Sequence, residues 1–290
     1  MAETYVQERA KTGRKDLRYP EAPEPLAVPV YDNHCHLDIH DGDEHLTLAQ
    51  QLERAGAVGI AGVVQSSGDI ESSRWAVAAA EQDDRVLAAV AIHPNDAPVY
   101  DAEGRLDEAI GVIDELAAHP RVRAIGETGL DFFRTGEEGR PAQLRSFEAH
   151  IEIAKRRGLA MQIHDRDAHR EVLDTLARVG APEKTVFHCF SGDAEMAREA
   201  AEMGCWLSFA GNVTFKNAQN LRDALAVTPR ERILVETDAP FLTPTPLRGR
   251  PNAPYLVPIT MRFIAGELGA DLDELCGQVA ANTLEVYGAF

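Results

Sequence analysis

The sequence predicts an α/β fold, a single-domain TIM (β/α)8 barrel. Three observations support it: eight short apolar runs alternate with helical patterns, metal-binding residue types follow several of these runs, and the chain has 290 residues. Repeated strand and helix units imply a parallel sheet, and eight of them imply closure into a barrel. The length suits one barrel, although two smaller domains would also fit.

The eight runs are expected to be strands buried on both faces, because they are almost continuously apolar and do not alternate with polar residues. They span residues 28–32, 59–65, 85–92, 122–127, 159–164, 184–188, 205–209 and 232–237.

Amphipathic segments between the runs predict helices. One has apolar residues at positions 144, 147, 151 and 154, with Pro141 in its first turn and Gly158 at its end. Gly180 and Gly204 are expected to end two more. The rival fold, an open doubly wound sheet, usually has a glycine-rich loop after its first strand. Here the motif DNHCHLD (32–38) follows instead, which favours the barrel.

Residues 1–28 are rich in charge and proline and lack an apolar period. We expect an extended leader there, packed against the body or disordered, and a barrel domain over 29–290. The first residues do not resemble a secretory signal, no apolar run is long enough to span a membrane, and no cysteine pair has CxxC spacing. These features predict a soluble, cytoplasmic protein with no membrane partner, and a monomer is compatible with them.

The net charge is 29 − 47 = −18. A surface of this sign opposes loose binding to nucleic acid or to an anionic membrane. A nucleic-acid substrate would therefore require a local positive site.

Residue types that bind metals cluster at the carboxyl ends of five predicted strands. They are His34 and His36 after the first strand, Glu127 and His164 at the ends of the fourth and fifth, His188 at the end of the sixth and Asp238 after the eighth. These ends converge on one face of a barrel. Each residue alone is commonly a surface or hydrogen-bonded residue, and only the coincidence of six predicts a metal site.

Four histidines and two carboxylates exceed the needs of one tetrahedral site. We therefore expect two divalent metal ions that share a carboxylate bridge, and Glu127 is the natural bridge because it lies midway in the strand order. The ligand set leaves the metal open among zinc, magnesium, manganese, iron and nickel.

Three further residues near these strand ends need an interpretation. His93 ends the third strand before Pro94, and it is as compatible with a substrate contact as with a structural hydrogen bond. Cys35 and Cys189 are expected to point away from the site by strand alternation, as packing residues and not nucleophiles.

At this point several motifs resemble the TatD family of metal-dependent hydrolases. They are DNHCHLD (32–38), AIHPND (91–96), IGETGLDFF (125–133), HDRDA (164–168), HCFSG (188–192) and ETDAPFLTP (236–244). They occur in the family's order, and the resemblance runs from about residue 30 to the C-terminus.

The resemblance implies an amidohydrolase-like TIM barrel, a dinuclear metal centre and deoxyribonuclease activity, often exonucleolytic from a 3′ end. It makes His34, His36 and Asp238 ligands of a first metal, His164 and His188 ligands of a second, and Glu127 the bridge. It also matches Arg166 to an arginine whose planar side chain could hold phosphate oxygens, although an isolated arginine is as often a solvated loop charge.

The chain departs from the family pattern at two places. Asp165 replaces the usual hydroxyl residue after His164 and adds negative charge beside the expected phosphate site. The sequence RPNAP (250–254) replaces the more typical RNEP. Both departures bear on substrate preference more than on metal binding.

The working hypothesis is hydrolysis of DNA phosphodiester bonds, at single-stranded ends, by a metal-activated water, with Asp238 and Glu127 as catalytic residues. Arg134, Arg166 and Arg250 would offset the acidic surface near the mouth. The alternatives are hydrolysis of D-aminoacyl-tRNA, of a lactone, cyclic amide or phosphotriester, or a non-catalytic metal-binding scaffold. Complete ligand positions weigh against the scaffold.

Overall fold

The computed structural model describes residues 7–9 and 16–290. The strands in these residues are β1 Gln7–Glu8, β2 Val30–Cys35, β3 Ile39–His40, β4 Ile60–Gln65, β5 Val86–Val90, β6 Val122–Asp131, β7 Ala160–Arg166, β8 Thr185–Phe187, β9 Trp206–Phe209 and β10 Ile233–Val235.

The helices alternate with these strands along the chain. They are α1 Leu48–Gly56, α2 Ile70–Gln82, α3 Ala97–Ala102, α4 Leu106–Leu116, α5 Arg140–Arg157, α6 His169–Val179, α7 Ala194–Glu202, α8 Gln219–Val227, α9 Val257–Leu268 and α10 Leu272–Tyr287. None of the described helices combines the length and apolar character that crossing a membrane requires.

Eight parallel strands form a nearly closed barrel in the order β2, β4, β5, β6, β7, β8, β9, β10. The chain beyond β10 meets β2 again, because Asp238 N–H donates to the His34 carbonyl oxygen and His36 N–H donates to that of Ala239. The predicted single-domain TIM barrel is confirmed.

The core has two layers, which follow from the alternation of side chains along each strand. The smaller cluster lies inside the barrel and takes Val64, Leu87, Trp206 and Leu234 from four strands and Tyr287 from the end of α10. The larger cluster fills the space between the strands and the outer helices. Burial on both faces explains why the strands are so uniformly apolar.

The helix signals in the sequence agree with the structure. α5 has a proline in its first turn, and Gly158 ends it with a φ of 64°. Gly180 and Gly204 follow α6 and α7 with φ of 82° and 84°. Positive φ is the conformation that glycine adopts at the ends of helices at little cost.

The largest differences from the predicted strand bounds are at the carboxyl ends of two strands. β2 runs to Cys35 and not to residue 32, so that His34 lies within the strand. β6 runs to Asp131 and not to residue 127, so that Glu127 lies in its middle. Both extensions include polar residues whose side chains have partners, namely Asn33, His34 and Asp131.

Most of the described leader lies against the barrel. β1 pairs in parallel with β3. Leu26 is buried, and its N–H donates to the Val58 carbonyl oxygen. The side-chain hydroxyl of Tyr255 donates to the Pro20 carbonyl oxygen. The rest of the predicted leader, residues 1–6 and 10–15, lies outside the described residues.

Candidate metal centre

The carboxyl ends of the barrel strands surround one cavity of about 890 Å³. Five of the six predicted ligands line it, namely His36, Glu127, His164, His188 and Asp238. The sixth, His34, is fully buried, and its Nε2 lies 3.6 Å from Glu127 Oε2. The structure therefore brings all six together, although they are spread over about two hundred positions.

Four donor atoms form a first group. His34 Nε2, His36 Nε2, Glu127 Oε2 and Asp238 Oδ1 lie 3.2–3.8 Å apart in five of their six pairs. A cation bound tetrahedrally at about 2.0–2.1 Å requires donors about 3.4 Å apart. The spacing and the donor types thus fit one divalent cation.

Glu127 Oε1 is the centre of a second group. It lies 2.5 Å from His164 Nδ1, 2.8 Å from His188 Nε2 and 3.4 Å from His93 Nε2. The contacts of His164 and His188 are hydrogen bonds, and all three nitrogens are atoms that bind metals when deprotonated. One oxygen of Glu127 therefore faces each group.

A local irregularity in β6 aims Glu127 into the barrel mouth. The pairing of β6 with β7 shifts register between Ile125 and Thr128, as in a β-bulge, which redirects the extra residue. Gly126 permits this, because a Cβ at this position would lie 2.5 Å from the Cβ of Gln162. The bulge explains how a residue in the middle of a strand reaches both groups.

Three of the four predicted histidine ligands have a buried acceptor behind them. His34 Nδ1 donates to Gln162 Oε1 at 3.0 Å. His188 Nδ1 lies 3.3 Å from Glu236 Oε1, and His164 Nε2 lies 3.2 Å from Asp131 Oδ2. Such partners fix the orientation and the tautomer of a metal-binding imidazole.

Burial and charge shift the pKa values in the cluster in opposite directions. Burial favours the protonated acid of Glu127, but the imidazoles of His188 and His93 hold its pKa well below the usual value. Burial would lower the pKa of His36, but Asp238 and Glu127 raise it to about 9. A cation that binds beside His36 would therefore have to displace its proton.

The loop after β10 holds Asp238 in a strained conformation. Its φ is 53°, a region that non-glycine residues rarely occupy away from functional sites. Asn252 stabilises this loop, because its Nδ2 donates to the carbonyl oxygens of Thr237 and Phe241. Asn252 belongs to RPNAP, so this departure from the family pattern keeps an amide that supports Asp238.

Three of the four predicted substrate residues line the cavity: His93, Arg134 and Arg166. The guanidinium carbon of Arg166 lies 4.0 Å from the centre of the Phe133 ring, which is 61% exposed.

The structure corrects the prediction that Arg250 binds substrate, because its side chain does not line the cavity. Its guanidinium donates to the carbonyl oxygens of Arg18 and Tyr19 and lies 3.6 Å from Asp16. These leader contacts direct the side chain away from the mouth.

The structure also corrects the prediction that Cys189 points away from the site, because this residue lines the cavity. β8 ends at Phe187, and the φ of Cys189 is 41°, so strand alternation does not apply there. Burial raises the pKa of its thiol well above 9.0, which opposes a role as nucleophile. Cys35 is buried as predicted, and its thiol contacts the Val64 carbonyl oxygen.

Asp165 pairs with His169, the first residue of helix α6. One carboxylate oxygen lies 2.7 Å from His169 Nδ1, and this contact with Asp165 raises the pKa of His169. The His169 imidazole thus partly offsets the negative charge that this residue adds near Arg166.

Several residues of the site have no distinguishing signal in the sequence. Gln162 and Glu236 lie inside or at the end of apolar runs, and Asp131 lies within a motif but outside the predicted strand. Arg9 lines the cavity from the leader, for which no site residue was predicted.

Comparisons with known proteins identify one family. A family model described as TatD related DNase matches residues 31–288. A metal-dependent hydrolase named TatD from Mycobacterium tuberculosis is 43% identical over 263 residues, which cover 89% of this chain and 98% of that protein. The hydrolase YabD from Bacillus subtilis is 36% identical, over 88% of this chain and 96% of that protein.

Solved structures share the fold. YjjV, a TatD homologue from Escherichia coli, superimposes with a TM-score of 0.79 at 25% identity, covering 89% of this chain and 97% of that chain. A phosphotriesterase homology protein from Escherichia coli gives a TM-score of 0.63 at 14% identity, covering 90% and 99%, and shows the fold alone. Together with the match to the family model and the assembled ligand cluster, these relatives establish that the chain belongs to the TatD family of metal-dependent hydrolases.

Proposed function

We propose that this chain is a deoxyribonuclease that binds two divalent cations and removes nucleotides from the 3′ end of single-stranded DNA. The observation that carries the proposal is the position of Glu127, whose two oxygens each face a separate group of donor atoms. A carboxylate placed in this way can bridge two cations.

The residues of the cluster would have different roles in binding the two cations. His34, His36 and Asp238 would hold the first cation, His164 and His188 the second, and Glu127 both. The cations, when bound, supply Lewis acidity that favours deprotonation of water and polarises a phosphoryl oxygen. Asp238 lies at the cavity and would accept the proton of the attacking water.

The mouth of the cavity supports an anionic, partly aromatic substrate. Arg134 and Arg166 provide positive charge on a chain whose net charge is −18. Phe133 exposes a ring on which a nucleobase could stack. The cysteines Cys35, Cys189, Cys205 and Cys276 are free thiols, which agrees with work in a reducing cytoplasm.

The test is a substrate panel on protein that has been stripped of metal and then reconstituted with zinc, manganese, magnesium, nickel or iron. The panel contains 3′-labelled single-stranded DNA, bis(p-nitrophenyl) phosphate, a lactone and D-aminoacyl-tRNA. We expect metal-dependent hydrolysis of the first two. Turnover of only the lactone or only the aminoacyl-tRNA would reassign the substrate.

Two variants test the proposed general base and the proposed stacking ring. Asp238→Asn should bind the first cation more weakly and, at saturating metal, lower kcat by roughly 10²–10⁴-fold, the usual contribution of a general base. Phe133→Ala should raise KM for single-stranded DNA by about tenfold, because stacking on an aromatic ring contributes about 1–3 kcal/mol per base. DNA hydrolysis that survives in Asp238→Asn would indicate a contaminating nuclease.

A further inference from the structure

The leader supplies part of the cavity wall. Gln7 N–H donates to the Asp38 carbonyl oxygen at 2.8 Å, and Arg9 N–H donates to that of His40 at 3.0 Å. These hydrogen bonds hold β1 against β3, and the side chains of Gln7 and Arg9 line the cavity. The family model begins only at residue 31, so this part of the wall lies outside it.

The guanidinium of Arg9 has a fixed position. Its carbon lies 4.5 Å from the centre of the Phe241 ring, and Nη1 lies 3.3 Å from Asp41 Oδ2 and donates to the Pro240 carbonyl oxygen. The Phe241 ring packs edge-on against the imidazole of His36, with ring centres 6.1 Å apart. Arg9 is therefore attached to the loop that carries a metal ligand.

Part of the Arg9 guanidinium has no hydrogen-bond acceptor among the described residues. Within the described part of the chain, both acceptors of Arg9 are reached through Nη1, and none is found for Nε or Nη2. The side chain is 28% exposed, and Asp238 acts on it electrostatically without a hydrogen bond. The Nε and Nη2 edge of a guanidinium matches two oxygens of a phosphate.

The strand order places Arg9 across the cavity from the other two arginines. Arg9 lies by the loop after β10, at the closure of the barrel next to β2, whereas Arg134 and Arg166 follow or end β6 and β7. In an eight-stranded barrel the fourth and fifth strands lie opposite the eighth and first. Positive charge therefore flanks the metal centre from two sides.

We propose that Arg9 forms an anion subsite that binds a phosphate group next to the one that is cleaved. The proposal rests on the phosphodiesterase function proposed above, and it makes the leader a determinant of substrate choice. The phosphate that reacts must lie at Glu127, and Arg9 lies beside the ligand Asp238 and not among the donor atoms. A strand of nucleic acid would cross the site between Arg9 and Arg166.

The test compares a substrate with neighbouring phosphates, tetrathymidylate, with one that has only the reacting phosphate, bis(p-nitrophenyl) phosphate. Arg9→Gln in the full chain should raise KM for tetrathymidylate with little change in kcat. Its kcat/KM for tetrathymidylate should fall about 10–150-fold more than its kcat/KM for the aryl ester, since a charged hydrogen bond contributes about 1.5–3 kcal/mol and about 1.4 kcal/mol is tenfold. Arg9→Lys should give an intermediate KM.

Two further variants separate binding from folding. Gln7→Pro removes the N–H that β1 donates to Asp38, and it should reproduce the KM of Arg9→Gln by releasing the strand. Arg18→Gln changes a leader arginine that pairs with Asp16 outside the cavity, and it should behave as wild type.

The outcomes distinguish this inference from the proposed function. If wild type hydrolyses both substrates and Arg9→Gln affects them equally or not at all, the anion subsite is wrong and the nuclease remains. A lower KM in Arg9→Gln would also overturn it, because the arginine would then obstruct the site. If wild type hydrolyses neither substrate, the proposed function itself is wrong.

Discussion

Gln162 supports the candidate metal site, although it is not one of the candidate ligands. Its Oε1 accepts from His34 Nδ1, while its Nε2 donates to the Asn33 carbonyl oxygen and to the Tyr287 hydroxyl. The amide is thus held through both its oxygen and its nitrogen. It orients the His34 imidazole so that Nε2 lies in the first group of donor atoms.

The first prediction follows from this contact. Gln162→Leu should weaken binding of the first cation by about 10–100-fold, because partners behind metal-binding histidines typically contribute this much. Calorimetric titration of the metal-free protein with zinc measures the change. Tyr287→Phe is the matched control, since it removes one of the two contacts of Gln162 Nε2 and leaves the contact with His34 in place. Equal zinc affinity in Gln162→Leu and wild type would contradict the role.

At the residue scale, chemistry is visible in the sequence where a residue type is distinctive. Histidines and acids at strand ends predicted the six candidate ligands. Gln162 had no such signal, because an amide inside an apolar run is uninformative and its partner His34 is 128 positions away. The prediction for Arg250 was wrong for a related reason: a sequence position near a motif does not fix the direction of a long side chain.

At the scale of elements, His150 connects helix α5 to the end of β5. It is fully buried, its Nε2 accepts from Ile92 N–H at 3.1 Å, and its Nδ1 lies 2.7 Å from the Ser146 carbonyl oxygen. Only a neutral imidazole can make both hydrogen bonds. Burial lowers its pKa from 6.5 to about 4.

The second prediction concerns the pH dependence of stability. The unfolded chain binds this proton below about pH 6.5, whereas the folded chain binds it only near pH 4. The contribution of His150 is therefore complete above pH 6.5 and is lost as pH falls towards 4, with about 2 kcal/mol lost by pH 5. Urea unfolding of wild type and His150→Gln at pH 7 and pH 5 measures it, and the variant should lose less stability than wild type. Identical losses would contradict the assignment.

Strand positions were predicted better than strand ends. Apolar runs located all eight barrel strands, because burial on both faces imposes that composition. The bulge at Glu127 could not be predicted, since it depends on the close approach of Gly126 to Gln162 in the neighbouring strand. Polar residues at the ends of β2 and β6 lie beyond the predicted strand ends for the same reason: their partners come from other parts of the chain.

At the scale of the whole molecule, an acidic chain must bind a polyanion through a few local contacts. The net charge of −18 predicts weak background attraction for DNA. Arg9, Arg134 and Arg166 are the cavity arginines of the described chain. Any favourable contact with phosphates should come from these three side chains and from the bound cations.

The third prediction is a shallow salt dependence of binding. Three arginine contacts to single-stranded DNA give a slope of about −2 in log Kobs against log salt, at about 0.7 per contact. Fluorescence anisotropy with metal-loaded Asp238→Asn, which should bind without cleaving, measures the slope. Adding Arg9→Gln should make the slope shallower by about 0.7. A slope steeper than about −5 would mean that a wider basic surface takes part.

We propose that Glu127 joins two cations at the mouth of the barrel. Anomalous diffraction from crystals of the manganese-reconstituted protein would locate both. We expect two peaks in contact with Glu127, one among His34, His36 and Asp238 and the other between His164 and His188. A single peak, or peaks that do not contact Glu127, would contradict it.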